Sequence, residues 1–203
     1  MSQTHSRLFD PVQSARLDSP ERLNYMPPDD LVLQLGIQAE MVVADIGAGT
    51  GYFALPLAKA VGNKGKIYAV DLQAAMLEKL RAKLRVPESP RNIVLLRGPS
   101  TETGIPSGIC DRVLIANVWH EIDDFAGTLL EVGRILKPNG RLGILDWRPE
   151  ELPPPGPPSD HRLSMEQVKR SVENERWLCL SAEFFGAHSY LVQAQPTAES
   201  PKQ

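Results

Sequence analysis

Apolar and polar positions follow two periods along this chain, and the order in which the periods succeed one another sets the expected architecture. Met41-Val42-Val43-Ala44 runs without a polar break into Asp45, as a strand covered on both faces does. Further strand-length runs are Ile67-Tyr68-Ala69-Val70 closing on Asp71, Ile93-Val94-Leu95-Leu96, Val113-Leu114-Ile115-Ala116 leading to Asn117, and Leu142-Gly143-Ile144-Leu145 closing on Asp146. Helical periods fill the gaps. One runs from Gly51 to about Val61, with Pro56 near its start and Gly62-Asn63 as its stop. The next sets Met76, Leu77, Leu80 and Leu84 on one face and Glu78, Lys79, Arg81 and Lys83 on the other. A third carries Phe125, Leu129, Val132 and Leu136 and stops at Lys137-Pro138-Asn139-Gly140. Strand and helix in alternation predict an α/β fold with a doubly wound, mostly parallel sheet.

The flanks read differently. Residues 1–30 mix charge, proline and scattered apolar groups up to Pro27-Pro28 and are expected to form an arm or cap packed on the domain. A short helix from Asp29 or Asp30 to Gly36 precedes the first strand, and the loop from Arg97 to Cys110 shows no helical period. Between Arg148 and Asp160 six prolines predict an extended, polyproline-like connection along the domain edge. Ser164 with Gln167 three residues on is a capping box opening a helix to about Glu173. Trp177 to Phe185 and His188 to Gln195, joined by Gly186-Ala187, predict a hairpin that closes the sheet with an antiparallel edge strand. One domain over residues 31–195 and a disordered tail over 196–203 complete the division.

Composition narrows the partners. A net charge of -3 over 203 residues lacks the basic balance of a nucleic-acid binder. Cys110 and Cys179 form no C-x-x-C pattern and have no histidine at ligand spacing, so free thiols in a reducing cytoplasm and no metal site are expected. No apolar run approaches the roughly 18 residues of a membrane span, which predicts a soluble protein.

The chemistry centres on Asp45-Ile46-Gly47-Ala48-Gly49-Thr50-Gly51-Tyr52. Glycines at alternate positions let the backbone turn sharply and come close to a ligand. The spacing is G-x-G-x-G, and Tyr52 fills the slot in which a G-x-G-x-x-G dinucleotide fingerprint would need its third glycine. With no lysine or arginine in the turn and acids at the ends of two strands, a nucleoside without phosphates fits better than a pyrophosphate. Asp71, about 20 residues past the turn, is placed to accept ribose hydroxyls. Asp45 suits an ammonium or sulfonium. Strand-end Asp and Asn are often only turn formers or caps, so the weight rests on Asp45, Asp71, Asn117 and Asp146 sharing one rim.

The run from Val42 to Ala58, with Asp71, the Asn117 to Asp123 segment and Leu136-Lys137-Pro138-Asn139-Gly140, resembles the class I S-adenosylmethionine-dependent methyltransferases over about residues 29–195. The resemblance implies a Rossmann-like, seven-stranded sheet with an antiparallel last strand and S-adenosylmethionine as cofactor. It assigns Asp45, Gly47, Ala48, Gly49 and Gly51 to the methionine end, Asp71 to the ribose, Leu72 to the adenine face and Asn117 to the methionine moiety. It brings Gly98 to the adenine edge. Many relatives carry an acid there, whereas here Pro99 and Ser100 follow, and Ser100 or Thr101 is the replacement on offer. Trp119-His120-Glu121-Ile122 and the proline stretch before His161-Arg162 most resemble small-molecule methyltransferases of the ubiquinone/menaquinone and arsenite type; two isolated cysteines fit arsenite poorly.

Transfer to a hydroxyl or carbon acid is helped by a base, for which His120 is the best placed residue and Glu121 the second. The plainer alternative is that His120 packs beneath the following helix. The expected function is methyl transfer to a small-molecule acceptor. Two others stay open: a nicotinamide-linked oxidoreductase, disfavoured by Tyr52 and the absence of a Tyr/Lys pair, and a non-catalytic nucleoside-binding scaffold.

Overall fold

The computed structural model describes residues 9–150 and 156–198. Pro153, Pro154 and Pro155 of the proline stretch, the first eight residues of the arm and the tail from residue 199 lie outside the described residues.

Seven strands form one sheet: β1 Val42–Ile46, β2 Lys66–Asp71, β3 Ile93–Arg97, β4 Cys110–Ala116, β5 Leu136–Trp147, β6 Trp177–Phe185 and β7 Ser189–Pro196. Their spatial order is β3-β2-β1-β4-β5-β7-β6. Pairs among the first five are parallel, and β7 runs antiparallel to both neighbours. The order turns back between β1 and β4. At such a switch point two consecutive connections leave toward opposite faces and open a crevice beyond the strands' carboxyl ends.

Helices cover both faces because successive strand residues point opposite ways. Val43 and Leu114 pack with Leu31, Leu57, Val61 and Leu80, on the face covered by α2 Pro28–Gln34, α3 Ala54–Val61 and α4 Ala74–Leu84. Ala44, Val113 and Ile115 pack with Leu129, Val132, Val168 and Val172, on the face of α5 Phe125–Ile135 and α6 Met165–Asn174. Each fully buried aliphatic side chain contributes about 1.5–3 kcal/mol. The central strands are therefore a rigid platform for whatever their ends carry. The capping box at Ser164 and Gln167 is present, each side chain bonding the other's backbone N–H.

Three details depart from the pattern. The antiparallel strand is β7, set inside the sheet, and β6 forms the edge. Ser189 to Val192 is buried at every position, whereas β6 keeps Leu178 and Phe184 exposed, so β7 suits two covered faces and β6 does not. The Lys137-Pro138-Asn139-Gly140 turn lies within β5: Leu136 pairs with Cys110 and Arg141 with Arg112, and the turn swells out of the ladder between them. β7 also runs to Pro196, one residue into the expected tail.

The arm packs as a strap over the crevice. A 3-10 segment, Pro11–Asp18, is followed by α1, Arg22–Tyr25. Asp18 accepts the Thr50 hydroxyl at 2.7 Å and Lys83 Nζ at 2.6 Å, while Lys79 donates to the Pro11 carbonyl at 2.8 Å. Met26 is fully buried.

Candidate active site

The carboxyl ends of β1, β2, β4 and β5 carry Asp45, Asp71, Asn117 and Asp146, and all four meet the rim at the switch point. Between β1 and α3 the chain makes the glycine turn. Gly47 and Ala48 both donate to the Val70 carbonyl, at 2.8 and 2.9 Å, which pins the turn to the end of β2. Gly47, Gly49 and Gly51 all have positive φ, at 77°, 55° and 87°. Side chains resist that backbone region by roughly 1–2 kcal/mol per residue.

Asp71 joins the turn to the next connection. Its Oδ2 accepts the Gly49 N–H at 2.8 Å and its Oδ1 the Gln73 N–H at 2.8 Å. Burial raises its pKa, and those two N–H groups oppose the rise. Each oxygen keeps one lone pair, so the carboxylate that orders the turn can still receive hydroxyls. Leu72 beside it is half exposed. Gly98 is required by space: a Cβ there would stand 2.6 Å from the Glu102 carbonyl oxygen. The Ser100 hydroxyl lies 2.8 Å from that of Thr128 and so is engaged by α5.

Asp45 is 2% exposed. It accepts the Ala54 N–H at the start of α3, while its Oδ2 has no hydrogen-bond partner among the described residues. Burial, with the neighbouring Asp71 charge adding, pushes its pKa up to about 7, against the pull of Arg22. Asn117 sits across the turn at φ 58°, a left-handed conformation for which asparagine is among the better suited side chains. Its Oδ1 is also buried without a partner among the described residues. Two unpartnered acceptors beside a glycine turn fit a ligand's ammonium group, and Asp71 fits a diol. The residues present therefore suit the amino-acid end and the ribose of S-adenosylmethionine.

The β4–β5 side of the rim is built differently. His120 lies in the 3-10 turn Trp119–Glu121 and is 5% exposed. Its Nδ1 is 2.8 Å from Asp146 Oδ1, and its backbone N–H donates to Asp146 Oδ2 at 3.0 Å. Burial alone would lower the imidazole pKa; the Asp146 hydrogen bond and charge outweigh it, and the pKa is raised. Glu121 Oε1 stands 3.8 Å from His120 Nε2. Its carboxyl is pushed up to about 7, chiefly by burial, and it accepts the backbone N–H of Phe9. The Phe9 carbonyl in turn accepts Gln73 Nε2 at 2.9 Å, so the arm crosses the rim from β4 to β2.

Asp146 was visible as a strand-end acid, but its bond to His120 was not read from the chain. The available signal was the adjacency of β4 and β5, which sets residues just past one strand against the end of the next. The arm's contribution was missed at residue level, because nothing local in Arg22 or Met26 marks them as rim residues. A separate cleft of about 610 Å³ borders Glu102, Glu131 and Arg134. Arg134 Nε is 2.7 Å from Glu131 Oε2, and Glu131 also takes the N–H and hydroxyl of Thr103, so these charges satisfy one another.

Switch point, glycine turn and acidic rim define a nucleoside-binding α/β domain. Residues 44–144 match the model of the methyltransferase domain family. A demethylmenaquinone methyltransferase of Lactococcus lactis is 31% identical over 120 residues, 59% of this chain and 47% of that one. An uncharacterized methyltransferase of Mycobacterium bovis is 37% identical over 127 residues, 62% of this chain and 48% of the other. The chain thus spans about half the length of the curated relatives it matches. A crystal structure of a SAM-dependent methyltransferase from Aquifex aeolicus superposes with a TM-score of 0.88 at 30% identity, covering 92% of this chain and 98% of that one. The chain belongs to the S-adenosylmethionine-dependent methyltransferases, with the seven-stranded Rossmann-like sheet expected for them. Among the described residues no helix is long and apolar enough to cross a membrane.

Proposed function

We propose that this protein transfers a methyl group from S-adenosylmethionine to a small-molecule acceptor that must lose a proton, a hydroxyl or a carbon acid. The observation that carries this is the joint placement of unpartnered Asp45 and Asn117 acceptors beside the glycine turn, with the His120–Asp146 pair on the next strand ends. Asp45, Asn117 and the backbone of Gly47, Ala48, Gly49 and Gly51 would hold the methionine end, and Asp71, Leu72 and Gly98 the ribose and adenine. When bound, the cofactor supplies an activated methyl on a sulfonium, so the protein's tasks are alignment, exclusion of water and proton removal.

His120 is the proposed base, with its Nδ1 proton held by Asp146 and its Nε2 on the opposite edge; Glu121 is the second candidate. Asp146 acts through His120 as a positioning residue, fixing the tautomer and stabilising the imidazolium. The first acceptor to try is a ring of the menaquinone type, which the name of the Lactococcus relative, a demethylmenaquinone methyltransferase, supports. Residues 1–30 are the cap of this reading, 31–196 the cofactor domain and the residues after Pro196 a tail. A cytoplasmic location is part of the proposal, supported by the free thiols of Cys110 and Cys179. The net charge of -3 supports an acceptor other than nucleic acid.

Incubation with methyl-labelled cofactor and a metabolite extract, followed by mass identification of labelled products, tests the proposal. One labelled small molecule that disappears in His120→Ala is the expected result. Firm cofactor binding with no labelled product from any extract would favour a non-catalytic nucleoside binder.

A further inference from the structure

We propose that Arg22, on the arm, is the receptor for the carboxylate of the cofactor's methionine moiety, so that the strap closes on the cofactor's charge and not only on its surface. The clamp rests on the methyltransferase assignment above and adds to it a residue outside the matched methyltransferase domain.

Arg22 is 5% exposed, an unusual position for a guanidinium, which remains charged even where burial lowers its pKa, as it does here. Among the described residues it makes no ion pair; Asp18 and Asp45 act on it only at longer range. Its plane is centred 4.0 Å from the Tyr52 ring, directly after the glycine turn. Nη1 donates to the Leu17 carbonyl at 3.0 Å, and Nε is buried with no partner among the described residues.

Nη2 meets the Met26 sulfur at 3.6 Å, and Asn117 Nδ2 meets the same sulfur at 3.1 Å. A thioether is a weak acceptor, so a guanidinium N–H and an amide N–H both converge where a strong acceptor would be worth much more. Tyr52 holds this arrangement by donating its hydroxyl to the Met26 carbonyl at 2.9 Å.

A buried cation without an anion is costly, and the cost is removed by a ligand carboxylate. The charges then divide by sign. Arg22 is the donor side of the pocket, while Asp45 Oδ2 and Asn117 Oδ1 are unpartnered acceptors on the strand side. Guanidinium on one side and carboxylate on the other is the pattern that an α-amino acid zwitterion completes. Leu17, 3.6 Å from where a Cβ on Gly49 would stand, closes the strap over the turn.

The test is calorimetry with two probes, S-adenosylhomocysteine and its decarboxylated analogue, on the full chain and on Arg22→Met, which keeps length and packing on Tyr52. Arg22→Met should weaken S-adenosylhomocysteine by about 10- to 100-fold and leave the decarboxylated analogue within about twofold. Arg22→Lys, which retains charge but not the planar fork, should fall between. Amide hydrogen exchange over residues 22–26 should slow when S-adenosylhomocysteine binds the natural chain and not when it binds Arg22→Met. Equal weakening of both probes, or no weakening of either, overturns the clamp alone. A natural chain that binds neither probe overturns the methyltransferase assignment and the clamp with it.

Discussion

The two halves of the rim differ in how completely their polar groups are matched. On the β4–β5 side, His120 is bonded by Asp146 through both ring and backbone, and Glu121 is bonded by the arm. Around the glycine turn and the arm over it, Asp45 of β1, Asn117 at the end of β4 and Arg22 each bury an atom with no partner among the described residues, whereas beside His120 only the Trp119 indole nitrogen does so. A native interior rarely leaves such atoms unmatched, since each costs about 1–3 kcal/mol. In the proposed reaction the first half serves as a preassembled proton acceptor, and the second is completed by a charged ligand.

If that contrast is right, the halves fail in different ways. The largest effect should come from His120→Ala, which removes the proposed base and should lower kcat by about 10²- to 10⁴-fold while cofactor affinity measured by calorimetry stays within about threefold. A kcat left intact would reduce the His120–Asp146 pair to a structural tie between strand ends. Next is Asp45→Asn. A carboxyl with a folded pKa of about 7 and an ordinary value of 3.8 gives its full stability below about pH 4 and loses it as pH rises through 7. The amide escapes that loss, so Asp45→Asn should be more stable than the natural chain at pH 8, on the order of 2–4 kcal/mol in urea denaturation, while binding the cofactor more weakly. Equal stability of the two at pH 8 would mean that Asp45 is not held against its charge.

Asp146→Asn sharpens the first half. The raised His120 pKa makes the natural rate climb with pH through a value above 6.5, because the base must be unprotonated. Removing the carboxylate should move that climb to lower pH and reduce the plateau, as read from kcat/KM profiles. The smallest effect belongs to the strap. Thr50→Val deletes the bond to Asp18 and should cost about 0.5–1.5 kcal/mol of arm docking, seen as faster proteolysis within residues 10–22.

The fold was legible because its strands are apolar at both parities. Val43 and Ala44, or Leu114 and Ile115, point to opposite faces and are all buried, which only a doubly covered strand requires. The end of the chain was harder. β6 and β7 are both apolar enough to be strands, and which one lies inside the sheet depends on Leu142↔Ala194 pairing at a distance, not on a local signal. At the site, Asp45, Asp71 and Asn117 were readable because each closes a strand, so chain position alone fixes where it stands. Their partners were not: Asp71 bonding Gly49, and Asp146 bonding His120, are contacts between separate strand ends. Arg22 carries no such marker. A guanidinium in a charged, proline-bearing arm reads as surface until packing on Tyr52 buries it.

The completing ligand can be tested through the proton on Asp45. Calorimetric titration with S-adenosylhomocysteine at pH 8 and pH 6 compares a pocket with its carboxylate mostly ionised to one with it mostly protonated. Affinity should fall about tenfold from pH 8 to pH 6 in the natural chain, and the fall should vanish in Asp45→Asn. Affinity that does not change with pH, or that changes equally in both proteins, would contradict an ammonium bound at Asp45.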